Sequence, residues 1–173
     1  LMGTKLTTSL LNKILVNAPL ILLFISVFNE FDFNYLNYKY FSFNFPFILI
    51  FYWSLKRIES LGYGYIFIAG LFNDAVIGFP IGLSSLTYLI ICGFAAYLKN
   101  ITLRPNLIKD WIYFLFTILV ANSINYFLLV SFFSIEVNYY ELSGNILFTF
   151  LFYYIFGYLF DIYQRLALRN KND

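Results

Sequence analysis

Two carboxylates lie inside or at the edge of the apolar stretches of this sequence, Asp74 and Asp161. The chain has no His and a single Cys, Cys92. Zinc sites that depend on His, Ser-His-Asp and Cys-His nucleophiles, CxxC redox pairs and disulfides within the chain are therefore excluded. Any catalysis would have to use carboxylates.

The composition places these carboxylates in a membrane protein. Apolar residues make up 61% of the chain, charged residues 12%, and the mean hydropathy is +0.76, which leaves too little polar surface for a soluble domain. We predict a single all-α transmembrane domain, residues 1–173, surrounded by the lipid bilayer. Its six transmembrane helices are predicted at Leu10–Phe28, Pro46–Leu55, Tyr63–Ile77, Ile81–Leu98, Trp111–Phe133 and Asn145–Phe160.

The basic residues fix the orientation of these helices. Of the 11 Lys and Arg residues, only Lys39 falls in a gap that would lie outside. By the positive-inside rule both termini are predicted to be cytoplasmic. No cluster of four or more basic residues occurs, so nucleic acid is not an expected partner.

A catalytic pair of carboxylates requires direct contact. Asp74 is expected near the external end of its helix and Asp161 at the cytoplasmic end of another, about 20 Å away at the rise of an α-helix. Asp161 fits a solvated helix-end residue near Arg165. An enzyme is therefore the least favoured class, and we expect no catalytic residue, metal or cofactor.

Small and polar residues recur on one face of two predicted helices. Gly70, Asp74 and Gly78 are spaced by four and let a neighbouring helix approach closely, and Asn122 and Asn125 cluster on the fifth helix. A carboxylate inside a bilayer costs about 2.5–3.5 kcal/mol, so Asp74 should face protein or water. Ordinary helix packing, with hydrogen bonds of about 0.6 kcal/mol each, would also explain such stripes.

The segment between the third and fourth helices predicts a tight external hairpin. Gly78 and Gly82 permit backbone angles that other residues avoid, and Pro80 favours a bend while removing an amide donor. Asp74 lies one turn before Gly78. We expect its carboxylate to accept hydrogen bonds from amides at the start of the fourth helix or from the serines there, which would make the hairpin rigid.

These motifs resemble the bacterial rod-shape-determining protein MreD family. The likeness comprises G-x-x-x-D from Gly70 to Asp74, then Gly-x-Pro-x-Gly from Gly78 to Gly82, and an apolar helix that ends in Ala-Tyr-Leu at Leu98. The sequence Phe45–Trp53 is also similar to the family's P-N-x-x-L-x-x-x-x-Y-W pattern, with Phe in place of the Asn.

The resemblance implies a non-enzymatic scaffold in the bacterial inner membrane. Such proteins act with an MreC-like bitopic protein and other elongation-complex proteins that couple MreB filaments to peptidoglycan synthesis and cell shape. It also implies a compact bundle similar to the substrate-binding components of energy-coupling-factor transporters. A small-molecule binding component of a transporter is therefore the alternative function, with Asn122 and Asn125 inside and the Asn29–Phe45 loop as a roof.

Two surfaces qualify for partner docking. The favoured one is the external loop with Tyr35, Tyr38 and Tyr40 together with the hairpin, because aromatic side chains are common anchors in interfaces. The other is the small-residue face of the fourth helix, around Cys92 and Ala96.

Overall fold

The computed structural model describes residues 17–27, 42–102, 106–134 and 138–169, and these are all-helical. The predicted interface residues Tyr35, Tyr38 and Tyr40 lie outside the described residues. A short 3-10 turn, Ile58–Ser60, follows the second helix. The α-helices are α1 (Asn17–Val27), α2 (Phe45–Arg57), α3 (Tyr63–Ile77), α4 (Leu83–Ile101), α5 (Leu107–Phe133) and α6 (Tyr139–Arg169).

The third helix has its predicted bounds, whereas the sixth is much longer than predicted. The sixth helix, expected over Asn145–Phe160, has 31 residues because its polar flanks continue the helix instead of ending it. Two helical stretches, Leu107–Phe133 and Tyr139–Leu166, are long and apolar enough to cross a membrane. The 13 residues of α2 and the 15 of α3 span only about 20 Å, short of the ~30 Å hydrocarbon core. Six full crossings are therefore not supported by these lengths.

The second helix forms the centre of the bundle. Every residue of Phe45–Leu55 is buried, against neighbours from α4 and α6. Phe51 contacts Phe114 of α5 and Tyr153 of α6, with ring centroids 5.1 and 5.6 Å away, and Phe114 stacks on Tyr153 at 4.3 Å. A helix that is apolar on all sides is expected in such a position. Aromatic rings and aliphatic side chains therefore pack together at the centre of the bundle.

The helices alternate in direction. The backbone amide of Asn44 donates to Thr149 Oγ1 and the hydroxyl of Tyr52 donates to Asp161, so α2 and α6 run parallel. Phe47 contacts Tyr88 and Ser54 contacts Cys92, so α2 and α4 also run parallel. The last turn of α2 meets the first turn of α5, which runs the other way, and α3 reverses into α4 through the hairpin.

This alternation gives the bundle two different ends. The hairpin end carries the Gly78–Gly82 turn and the C-terminus of α5. The basic end is formed by the last turns of α2 and α4, the first turn of α5 and the C-terminal part of α6. All basic residues of the described chain lie there, namely Lys56, Arg57, Lys99, Lys109, Arg165 and Arg169.

Close packing of α3 on α4 depends on Gly70. A Cβ atom at this position would lie 2.4 Å from Ser85 Cα and 2.5 Å from Ser85 N. Gly70 thus acts as the small-residue pattern predicted. Gly78 does not, because a Cβ there would meet nothing within 4 Å. The prediction that Gly78 lets a neighbouring helix approach closely is therefore wrong. Its left-handed backbone, with φ of 78°, ends α3 instead.

We predict that Gly70→Ala destabilises the bundle by about 1–3 kcal/mol, because the added methyl overlaps backbone atoms of α4 that cannot rotate away. Gly93→Ala is the matched control, since that helical glycine faces open space. It should leave stability unchanged or raise it by up to about 1 kcal/mol. Thermal unfolding of both variants in detergent measures the difference, and equal melting temperatures would contradict the close contact.

Candidate functional site

Asp74 ties α3 to α4 at the hairpin end. Its side chain is fully buried. Oδ2 accepts a hydrogen bond of 2.7 Å from the amide of Gly82, and Oδ1 accepts one of 2.9 Å from the amide of Ser84. The first amides of a helix have no partner within it and carry partial positive charge, so a carboxylate of the preceding helix caps α4 from outside. The predicted bonds to amides are confirmed.

The serine hydroxyls that were the other predicted donors bond elsewhere. Ser84 Oγ accepts from Asn73 Nδ2 at 2.9 Å, and Ser85 Oγ donates to the carbonyl of Phe67 at 2.8 Å. Four side chains thus bond between α3 and α4, namely Asn73, Asp74, Ser84 and Ser85. The hairpin is fixed at several points besides the carboxylate.

The turn itself uses both predicted glycines. Gly78 and Gly82 have φ of 78° and 100°, which only glycine adopts readily. The amides of Gly78 and Phe79 both donate to the carbonyl of Asp74, at 2.9 and 3.0 Å, and the amide of Leu83 donates to Pro80 O at 3.2 Å. The backbone and the side chain of Asp74 therefore both hold the reversal.

An ion pair that the sequence did not reveal lies at the basic end. Lys56 Nζ, in the last turn of α2, is 2.8 Å from Oδ2 of Asp110, whose side chain is almost fully buried. The fifth helix was predicted to begin at Trp111, but Asn106 caps α5 by accepting from Ile108 N, which places Asp110 in the first helical turn. An acidic residue in the first turn of a helix and a basic residue in the last turn each interact favourably with the helix dipole.

Asp161 is also bound within the bundle. The buried hydroxyl of Tyr52 donates to its Oδ1 at 2.5 Å, and the carboxylate is half-buried. The prediction of a solvated helix-end residue was wrong, because α2 places Tyr52 directly beside that turn of α6. Asp74 and Asp161 lie at opposite ends of the bundle, as expected, and cannot act as a catalytic pair.

The polar side chains of α5 share no hydrogen bond with one another among the described residues. Asn122 Nδ2 donates to the carbonyl of Ile118 in its own helix, at 2.8 Å. Asn125 Oδ1 is buried with no hydrogen-bond partner among the described residues. Tyr126 instead bonds to the hydroxyl of Tyr139 on α6.

The small-residue face of α4 is occupied from inside. Ser85 and Cys92 are fully buried, and Ser54 of α2 donates to Cys92 Sγ at 3.2 Å. A partner helix would have to displace α2 or α3 to reach these two residues, whereas Ala96 is partly exposed. Of the two predicted docking surfaces, only the hairpin part of the external one belongs to the described residues with an open side.

The chemistry that these groups support is structural. No group of three or more metal-ligating side chains occurs within residues 17–27, 42–102, 106–134 and 138–169. Asp74, Asp110 and Asp161 each accept from a donor on another helix or on the hairpin. Comparison of the chain with protein-family models, with curated proteins and with solved structures finds no match. Its function is therefore inferred from its own sequence and contacts.

We predict a graded loss of stability at Asp74. Asp74→Asn keeps one acceptor oxygen and should cost about 1–3 kcal/mol for the amide left without a partner, while Asp74→Leu should cost roughly twice that and lower the folded yield in detergent. Glu59→Gln, which neutralises an exposed carboxylate, is the control and should change neither quantity. Normal yield and melting temperature for Asp74→Leu together with lost function would instead identify Asp74 as a working site.

Proposed function

We propose that this chain is a multi-pass protein of the bacterial inner membrane and a non-enzymatic scaffold of the cell-wall elongation machinery. In this role it regulates cell shape and peptidoglycan synthesis together with an MreC-like bitopic protein. Three lines of support come from the distribution of apolar side chains, the orientation of the helices and the rigidity of the hairpin.

The apolar outer surface supports the membrane location. Large apolar side chains point outward on the long helices, with Phe116 exposed to 64% and Phe127 to 62%, whereas Asp74 and Asp110 are 0% and 1% exposed. A water-soluble bundle would show the reverse arrangement. A lipid environment favours the observed arrangement. Apolar side chains can face lipid directly, whereas each buried charge needs a partner within the protein.

The helix directions support a bundle with both termini in the cytoplasm. Alternating helices put the basic residues of the described chain at one end, which is the arrangement that the positive-inside rule requires. In this proposal α5 and α6 cross completely, and α2 and α3 reach the interfaces with the help of flanking residues. A short α2 is tolerable because protein, not lipid, surrounds it on every side.

The hairpin gives the main support for the scaffold function. The residues that resemble the MreD family, Gly70 and the segment Asp74–Gly82, are the ones that pack α3 on α4 and close the turn. Such a rigid external corner provides a preorganised surface for a partner in the periplasm. The alternative, a transporter component that binds a small molecule, is less favoured because aromatic rings and aliphatic side chains pack together at the centre of the bundle.

We predict that elongation-complex proteins, including a bitopic partner, co-purify with the chain from membranes in mild detergent. Replacing Tyr35, Tyr38 and Tyr40 together by Ser should abolish this co-purification while the melting temperature stays unchanged, since aromatic anchors dominate interface energies. Mass spectrometry of the recovered proteins gives the measurement.

The matched control replaces three exposed tyrosines at the basic end, Tyr63, Tyr65 and Tyr97, by Ser. That variant should retain the partner. If the partner survives loss of the loop tyrosines but not Ala96→Leu, the docking site is α4. Recovery of an ATPase pair in place of elongation proteins would contradict the scaffold and favour transport.

A further inference from the structure

A half-open cavity lies at the basic end, between α2, α4 and α5. Its volume is about 210 Å³, and it is lined by Leu55, Lys56, Lys99, Thr102 and Asp110. This is roughly the liquid volume of seven water molecules, so a group larger than a single water fits. The cavity plays no part in the hairpin or in the proposed docking surface.

The polar groups of the cavity match an anion. One donor of the Lys56 ammonium is bound to Asp110, which leaves two of its three donors for a ligand. Lys99 is exposed in the last turn of α4. The hydroxyl oxygen of Thr102 is buried with no hydrogen-bond partner among the described residues. Two lysines and one aspartate give the described lining of the cavity a net charge of +1.

We infer that this cavity binds the phosphate group of an anionic phospholipid of the cytoplasmic leaflet. Lys56 and Lys99 pair with the phosphate, and Thr102 Oγ1 donates to one of its oxygens. The position of the cavity favours a lipid as the source of this phosphate, since basic pockets between helices at the cytoplasmic surface bind anionic headgroups. Leu55 extends the wall toward the apolar part of the bundle. The inference rests on the membrane location proposed above.

Thermal unfolding of the purified full chain in an uncharged detergent tests this inference. Phosphatidylglycerol should raise the melting temperature more than the same amount of zwitterionic phosphatidylcholine. Free glycerol 1-phosphate, which offers the same phosphate without acyl chains, should have no comparable effect. Equal stabilisation by glycerol 1-phosphate would overturn the lipid source, and equal stabilisation by phosphatidylcholine would overturn the site.

Three variants locate the effect. Lys99→Gln should weaken the apparent affinity for phosphatidylglycerol about fivefold, the share expected for one basic residue near a charged headgroup. Thr102→Val, of the same shape, should weaken it as well. Lys109→Gln removes an exposed charge at the same end but outside the cavity, and should leave the affinity unchanged. An equal loss in Lys109→Gln would show unspecific attraction and contradict the site.

None of the substituted side chains belongs to the Lys56–Asp110 pair, so each variant is expected to fold. Melting temperatures measured without lipid check this. The two proposals fail separately. Recovery of the chain from cells without detergent would overturn the membrane location. A detergent-dependent chain that shows no preference for phosphatidylglycerol would overturn the cavity alone.

Discussion

A carboxylate in an apolar bundle is stable only when donors of the same chain surround it, and this constraint organises the protein. Asp74 joins α3 to the start of α4, Asp110 joins α5 to α2, and Asp161 joins α6 to α2. One carboxylate contact thus pairs α3 with α4, and the other two attach α5 and α6 to α2. Removal of one partner from such a contact leaves a buried group unpaired, so each one specifies a single arrangement of its two helices.

The distribution of these contacts explains how a chain rich in aromatic residues acquires two distinct ends. At the hairpin end, a carboxylate is held by backbone amides, which makes a rigid turn without charge on its outside. At the basic end, a carboxylate meets a lysine, and further basic residues stay available for the surface. A rigid corner at one end and a charged rim at the other would suit the proposed scaffold, which would contact a periplasmic partner at the first and the inner leaflet at the second.

Sequence reasoning succeeded where the contact is local and failed where it depends on distant helices. The bonds from Asp74 to α4 could be predicted because Gly78, Pro80 and Gly82 fix a reversal within a few residues. Nothing near Asp110 or Asp161 in the sequence indicates that Lys56 and Tyr52 lie beside them, since the packing of α2 at the centre decides both. The extent of α6 was missed because hydropathy does not detect polar residues that continue a helix.

In the proposed membrane topology, the hairpin end and the basic end face opposite sides of the bilayer. In a Cys92→Ser background, which keeps an acceptor for Ser54, single cysteines can be introduced by Ile81→Cys in the hairpin, where the residue is 82% exposed, and by Glu59→Cys at the basic end. This topology predicts that an impermeant maleimide labels the hairpin variant in intact spheroplasts and the Glu59→Cys variant only after permeabilisation. Labelling of both variants from outside, or the reverse order, would contradict it.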